Sequence, residues 1–209
     1  MSPKHIISII ALVLTLLGCN GDHPSPSTTG QGTTNLPANI LTVMTQNVDD
    51  GTDFGPIFGA VTLDTLTTGV ADTYSEVQAS NIPERAATLA GEIAATQPDV
   101  VGLQEVILWR TGPPGGPATT VTFDALQSLL DALAQRGAHY SVLAVLTNFT
   151  TEAPSALGLT IGYTDRDVIL ARSDLSPADF QVTNVQAQHF TVHLILPNPL
   201  LGSPPVPRG

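Results

Sequence analysis

Pro98-Asp99-Val100-Val101-Gly102-Leu103-Gln104-Glu105-Val106 is the stretch whose reading decides the fold. Its apolar run, Val100 to Leu103, is short and nearly continuous, as in a strand covered on both faces. A proline precedes the run and the polar pair Gln104-Glu105 ends it. Upstream, Asn81-Ile82-Pro83-Glu84 opens a helix, with proline in the first turn and an acid beside it. Ala86, Leu89, Ala90, Ile93, Ala94 and Gln97 then recur at helical spacing, so one stripe faces a sheet. Pro98 stops that helix. Earlier still, Leu41-Thr42-Val43-Met44-Thr45-Gln46-Asn47 lies in a second apolar strand, Ile40 to Val48, also expected to be covered on both faces. Strand, helix, strand in this order is a crossover unit. The expected fold class is therefore α/β (α+β). Ligands of layered α/β proteins sit at strand ends, so Asn47 and Glu105 are expected side by side at a site.

The rest of the chain is less regular. Asp49 to Ser80 is polar and Gly-containing and reads as a long loop with a short helix around Leu63 to Val70. Arg110 to Thr120 is a Gly/Pro loop. Thr122 is read as the cap of a second helix whose stripe is Phe123, Leu126, Leu130 and Leu133, and Gly137 ends it. Tyr140 to Leu146 is a strand and Thr147 to Thr164 mostly loop. Asp167 to Arg172 and Phe190 to Leu196 are further strands, and there is no internal repeat.

Formal charge is −11 over 209 residues, and Lys4 is the only lysine. Outside Met1 to Gly18, Arg85, Arg110, Arg136, Arg166, Arg172 and Arg208 carry all the positive charge. Such a surface disfavours broad capture of nucleic acid, which relies on Lys and Arg neutralising phosphates. A small phosphate ester held by a metal and one arginine remains compatible with it.

Residues 1–18 combine a short basic start with an apolar run, Ile6 to Leu17. The run is shorter than the roughly 20 residues that span a bilayer and has the length of a secretory leader core. It ends Leu16-Leu17-Gly18-Cys19, which resembles the bacterial lipobox. That resemblance implies acylation of Cys19, the only cysteine, and anchoring to a lipid bilayer at the cell envelope. The alternative is an ordinary cleaved signal peptide and secretion. Residues 19–39 are rich in Ser, Thr, Pro and Gly and read as a flexible tether. The domain itself is taken as residues 40–209.

Thr45-Gln46-Asn47, Glu84-Arg85, Gln97 to Val106 and Asp165-Arg166-Asp167-Val168-Ile169-Leu170 together resemble the endonuclease/exonuclease/phosphatase superfamily. Its members include pancreatic deoxyribonuclease and bacterial sphingomyelinase. The resemblance covers residues 41–172 and rests most heavily on the block from Gln97 to Val106. It implies a four-layer α/β/β/α sandwich and metal-dependent hydrolysis of a phosphate ester; the chain is expected to be a monomer. By the same resemblance Glu105 would hold Mg²⁺ or another divalent cation, and Asn47 would help bind that metal or the scissile phosphate. Mg²⁺ suits this, since it takes hard oxygen ligands and keeps several waters. Arg166 resembles an arginine that contacts phosphate, a task its planar fork suits; flanked by Asp165 and Asp167, it also reads as a surface ion pair. Gln104 is expected to support the site or the sheet.

The superfamily completes its site with a later Gly-Asp-Phe-Asn-type motif and a final Ser-Asp-His-type motif. Neither occurs downstream of Arg166. The chain is thus expected to hold only the first half of the sandwich, truncated and marginal or inactive, with Val168 and Leu170 exposed. The competing reading is a non-catalytic surface lipoprotein used as a binding or structural module. His189 and His193 lie about 13 Å apart in an extended strand, too far for one metal, and read as strand surface.

Overall fold

The computed structural model describes residues 41–189. In chain order its elements are β1 (Val43–Asn47), α1 (Gly55–Phe58), α2 (Leu63–Ala79), α3 (Ile82–Thr96), β2 (Val100–Gln104), β3 (Leu108–Gly112), β4 (Thr120–Asp124), α4 (Ala125–Gln135), β5 (Tyr140–Pro154) and β6 (Thr160–Arg172). Helices and one mixed six-stranded sheet make an α/β fold. The leader, Cys19, the tether, the strand read over Phe190 to Leu196 and His193 lie outside the described residues. No helix among the described residues is long and apolar enough to cross a membrane.

β1 and β2 are parallel, from Val43 opposite Val100 to Asn47 opposite Gln104, as the crossover reading requires. Asp99 starts this pairing. Its carboxylate accepts from the Thr42 amide at 2.8 Å, while its own amide donates to the Thr42 carbonyl at 2.8 Å. Replacing Asp99 by alanine is expected to destabilise the chain by about 1 kcal/mol in urea unfolding. An unchanged midpoint would show that the strand pairing alone sets this register.

β6 is the spine of the sheet. One of its edges pairs antiparallel with β5 along its length, from Thr160 opposite Pro154 to Arg172 opposite Tyr140. Its other edge pairs with β3 as far as Thr164 and with β2 from Val168 onward. The partner therefore changes across Asp165-Arg166-Asp167. Buried apolar residues of β6 also change parity there, from Ile161 and Tyr163 to Val168 and Leu170.

Several sequence expectations need correction. Asp49 to Ser80 is not mainly loop: α2 occupies 17 of its residues. Leu66, Val70, Tyr74 and Val77 form its buried stripe, hidden among threonines. A capping box starts it, in which Thr62 Oγ1 accepts from the Thr65 amide and Thr65 Oγ1 from the Thr62 amide. Asp124, not Thr122, caps α4; Thr122 and Phe123 belong to β4. Thr147 to Thr164 is not loop but most of a long hairpin, because paired strands satisfy its polar backbone. β1 is not covered on both faces: it is an edge strand, and Val43 is 61% exposed. Gln97 leaves the helical stripe and forms the exposed left-handed end of α3. Val168 and Leu170, expected to be exposed, are 1% and 0% exposed. They share one core with Ala86, Leu89 and Ile93 of α3 and Leu129 and Leu133 of α4, so the helices supply the cover a second sheet was expected to give.

Candidate functional site

β1 and β2 end level with each other. Asn47 stands opposite Gln104, and the Val48 amide donates to the Gln104 carbonyl at 2.8 Å. Glu105 follows at once, so the strand ends that carry the two residues expected from sequence lie side by side. Both chains then bend. The Asn47 side-chain oxygen accepts from the Asp49 amide at 2.7 Å, an Asx turn, and Asp49 adopts a left-handed φ of 72°. Glu105 itself has φ of 55°, uncommon for a residue with a side chain. This bend carries the chain from β2 into β3 within four residues and opens the gap in the sheet beside Asp165 to Asp167.

Three acids that sequence reasoning did not assign converge on that gap. Asp50 comes from the loop after β1, and Asp165 and Asp167 from the stretch of β6 that has a strand partner, β5, on one edge only. Tyr163 donates to Asp50 Oδ1 at 2.5 Å and holds the loop on the sheet. Phe54 reinforces this hold, its ring 5.0 Å from that of Tyr163 and 6.3 Å from that of Trp109. Asn148 is the extra residue at a register shift of β5, between Thr147 and Phe149. The bulge aims its amide at the gap, where it donates to Asp165 Oδ2 at 3.1 Å.

The local electrostatics favour added positive charge. Burial pushes the Asp50 carboxyl up to about 7, the Tyr163 hydrogen bond opposes this, and the charges of Glu105 and Asp165 add to it. Burial raises Asp165 as well, against the Asn148 hydrogen bond and again with help from Glu105. Asp167 is pushed up to about 6, chiefly by burial. Asn148 Oδ1, Asp165 Oδ1 and Asp167 Oδ2 are buried without a hydrogen-bond partner. Buried acceptors are rarely left so.

Those orphaned oxygens form a hard donor set beside excess negative charge, which fits a divalent cation such as Mg²⁺. Among the described residues no group of three or more His, Cys, Asp or Glu side chains converges closely enough to hold a metal. A cation here would take Glu105 and Asn47 as a minority of its ligands, with water and substrate supplying the rest.

Arg166 does not sit as a phosphate ligand would. Strand alternation places it on the face opposite Asp165 and Asp167, so neither neighbour is its partner. Nε donates to the Val106 carbonyl at 2.8 Å, and Nη2 to the Ile107 carbonyl at 3.1 Å and to Asp124 Oδ1 at 2.6 Å. Its side chain is 11% exposed. Gln104 supports the sheet as expected, its side chain meeting Thr45 Oγ1 across the strands. His189, read from sequence as strand surface, is not in a strand; its Nε2 lies 2.8 Å from the carbonyl of Thr147, the residue before Asn148.

The missed acids carried one sequence signal. Asp165 and Asp167 share a strand face with Tyr163, and such a run of acids in a half-buried strand is unusual. Asp50 carried none, because its burial depends on a tertiary contact 113 residues away in sequence. No family model, curated protein or solved structure matches the chain.

Proposed function

We propose that this chain is a metal-dependent phosphoester hydrolase, of the phosphodiesterase, phosphatase or nuclease class, acting at the cell envelope. The observation that supports the reading is the adjacency of the two strand ends that carry Asn47 and Glu105, backed by raised carboxylates and unpartnered buried oxygens. Glu105 and Asn47 would hold the cation. When bound, Mg²⁺ would neutralise charge growing on the phosphoryl oxygens and ease deprotonation of an attacking water.

The chain's own groups would shape the rest. Asn47, held by its Asx turn, presents an amide nitrogen free to donate to a phosphate oxygen. Asp50, with a carboxyl near neutrality, is able to hold or release a proton at its carboxyl oxygen. The five described arginines are all engaged with protein oxygens. Charge neutralisation at phosphate would therefore rest on the cation. The acidic surface favours a small phosphate ester or phospholipid head group over nucleic acid, and the leader with its Cys19 motif supports a lipid-anchored location.

The test is hydrolysis of bis(p-nitrophenyl) phosphate and p-nitrophenyl phosphate by the full chain in 5 mM Mg²⁺ or Mn²⁺, each on the order of typical assay levels and well above usual site affinities. Turnover that EDTA abolishes and added cation restores is the expected result. Turnover indifferent to EDTA would sink the reading. Cation binding without turnover of any phosphoester would favour the non-catalytic binding module instead.

A further inference from the structure

Each of the two strand-terminal side chains is followed by a backbone bend, and each bend is gripped by one arginine reaching in from elsewhere. After Asn47, Arg85 of α3 donates through Nη2 to the Val48 carbonyl and, at 2.9 Å, to the Asp49 carbonyl. Asp49 Oδ1 lies 3.3 Å from the same nitrogen. Gly51, at φ 79°, lets the loop close over this guanidinium; a Cβ there would come within 3.0 Å of Arg85 Nη1 and 2.6 Å of Ser80 Oγ. After Glu105, Arg166 of β6 takes the Val106 carbonyl through Nε and the Ile107 carbonyl through Nη2, with Asp124 as its counter-ion.

The parallel is chemical as well as geometric. In both cases one guanidinium takes two consecutive carbonyls that directly follow a site side chain, and in both cases the bend includes a left-handed residue, Asp49 or Glu105. Left-handed backbone at a residue with a side chain persists only where its surroundings over-determine it. A guanidinium does that from a planar group of several donors, Arg85 through Nη2 and Arg166 through Nε and Nη2. The two arginines come from different elements, α3 and β6, so each bend is tied to a separate element of the fold.

We propose that Arg85 and Arg166 are paired positioning residues, which fix the bends after Asn47 and at Glu105 so that both side chains face one cation. They touch neither cation nor substrate. This rests on the reading of Asn47 and Glu105 as the cation-holding pair.

Two readouts on the full chain test it. The first is amide hydrogen exchange without metal. Arg85→Gln is expected to speed exchange across residues 48–51 about tenfold, and Arg166→Gln across 105–108, each leaving the other's segment unchanged. The second is binding of Mn²⁺ alone, by titration calorimetry. Each Gln variant is expected to bind about tenfold more weakly, the usual loss when a supporting partner of a ligand is removed. Arg85→Lys and Arg166→Lys should fall between wild type and Gln and guard against misfolding. Arg172→Gln, whose guanidinium meets only Asp174, should alter neither readout.

A variant whose own segment exchanges within twofold of wild type overturns the proposal. So does faster exchange with unchanged Mn²⁺ affinity, which would leave the arginines as structural clamps only. A wild-type chain that binds no Mn²⁺ refutes the underlying hydrolase reading and the positioning role with it; the failure then shows in the wild type rather than in the variants.

Discussion

Glu105→Gln is expected to lower cation-dependent phosphoester hydrolysis by about a thousandfold while leaving the metal-free chain at least as stable as the wild type. A cation's stabilisation of charge on a phosphoryl group is worth several kcal/mol, and about 4 kcal/mol is a factor of a thousand. Stability should move the other way because Glu105 sits in repulsion with its neighbours. Its charge helps to raise the carboxyls of Asp50, Asp165 and Asp167. Glutamine keeps the shape and removes that charge. Loss of activity together with a raised or unchanged melting temperature marks a residue kept for function at the expense of the fold. The measurement is turnover and thermal melting side by side in EDTA and in Mg²⁺. Wild-type turnover in the variant would remove Glu105 from the site; a large fall in melting temperature would make it structural.

Without metal, the chain should lose stability as pH rises from about 4 to about 7. The Asp50 carboxyl stands near 7 in the fold against 3.8 when exposed. Between those values the folded chain binds the proton that the unfolded chain has released. Stability therefore falls with rising pH across that window and levels off above it. Asp167, pushed up to about 6, adds to the same slope. The Asp50 contribution is on the order of 3 kcal/mol, or roughly 10 °C in melting temperature for a chain of this size. Asp50→Asn keeps an oxygen to accept from Tyr163 and should flatten the curve. Divalent cation should do the same, since it favours the charged forms. Melts in EDTA from pH 4.5 to 7.5 decide the matter. Equal slopes for wild type and Asp50→Asn would mean that the general acidic charge of the surface, not the buried pair, sets the dependence.

The readings that held share a cause. Val100 to Leu103, the stripe Ala86, Leu89, Ala90 and Ile93, and the order strand-helix-strand are local patterns, and the sheet placed them where those patterns predict. The strand ends that carry Asn47 and Glu105 lie level because parallel pairing brings them so, which follows from topology alone. The readings that failed had no local signature. The buried stripe of α2 is diluted by Thr67, Thr68 and Thr73, residues of poor helix propensity, and packing against Trp109 and the sheet overrides that preference. The β5–β6 hairpin is rich in Thr and Gly, and only its cross-strand pairing distinguishes it from loop.

Residue chemistry and spacing by themselves determined an α/β chain with a parallel strand pair whose ends carry an amide and a carboxylate. Tertiary structure alone decided the state of those ends. A long-range hydrogen bond buried Asp50 against Tyr163, and the change of strand partners along β6 left Asp165 and Asp167 without a ladder on one side. It also turned Arg166 from an expected phosphate ligand into a brace for the bend at Glu105. The physical reason is common to all three: burial and orientation of a charge depend on residues far away in the chain, and no local pattern records them.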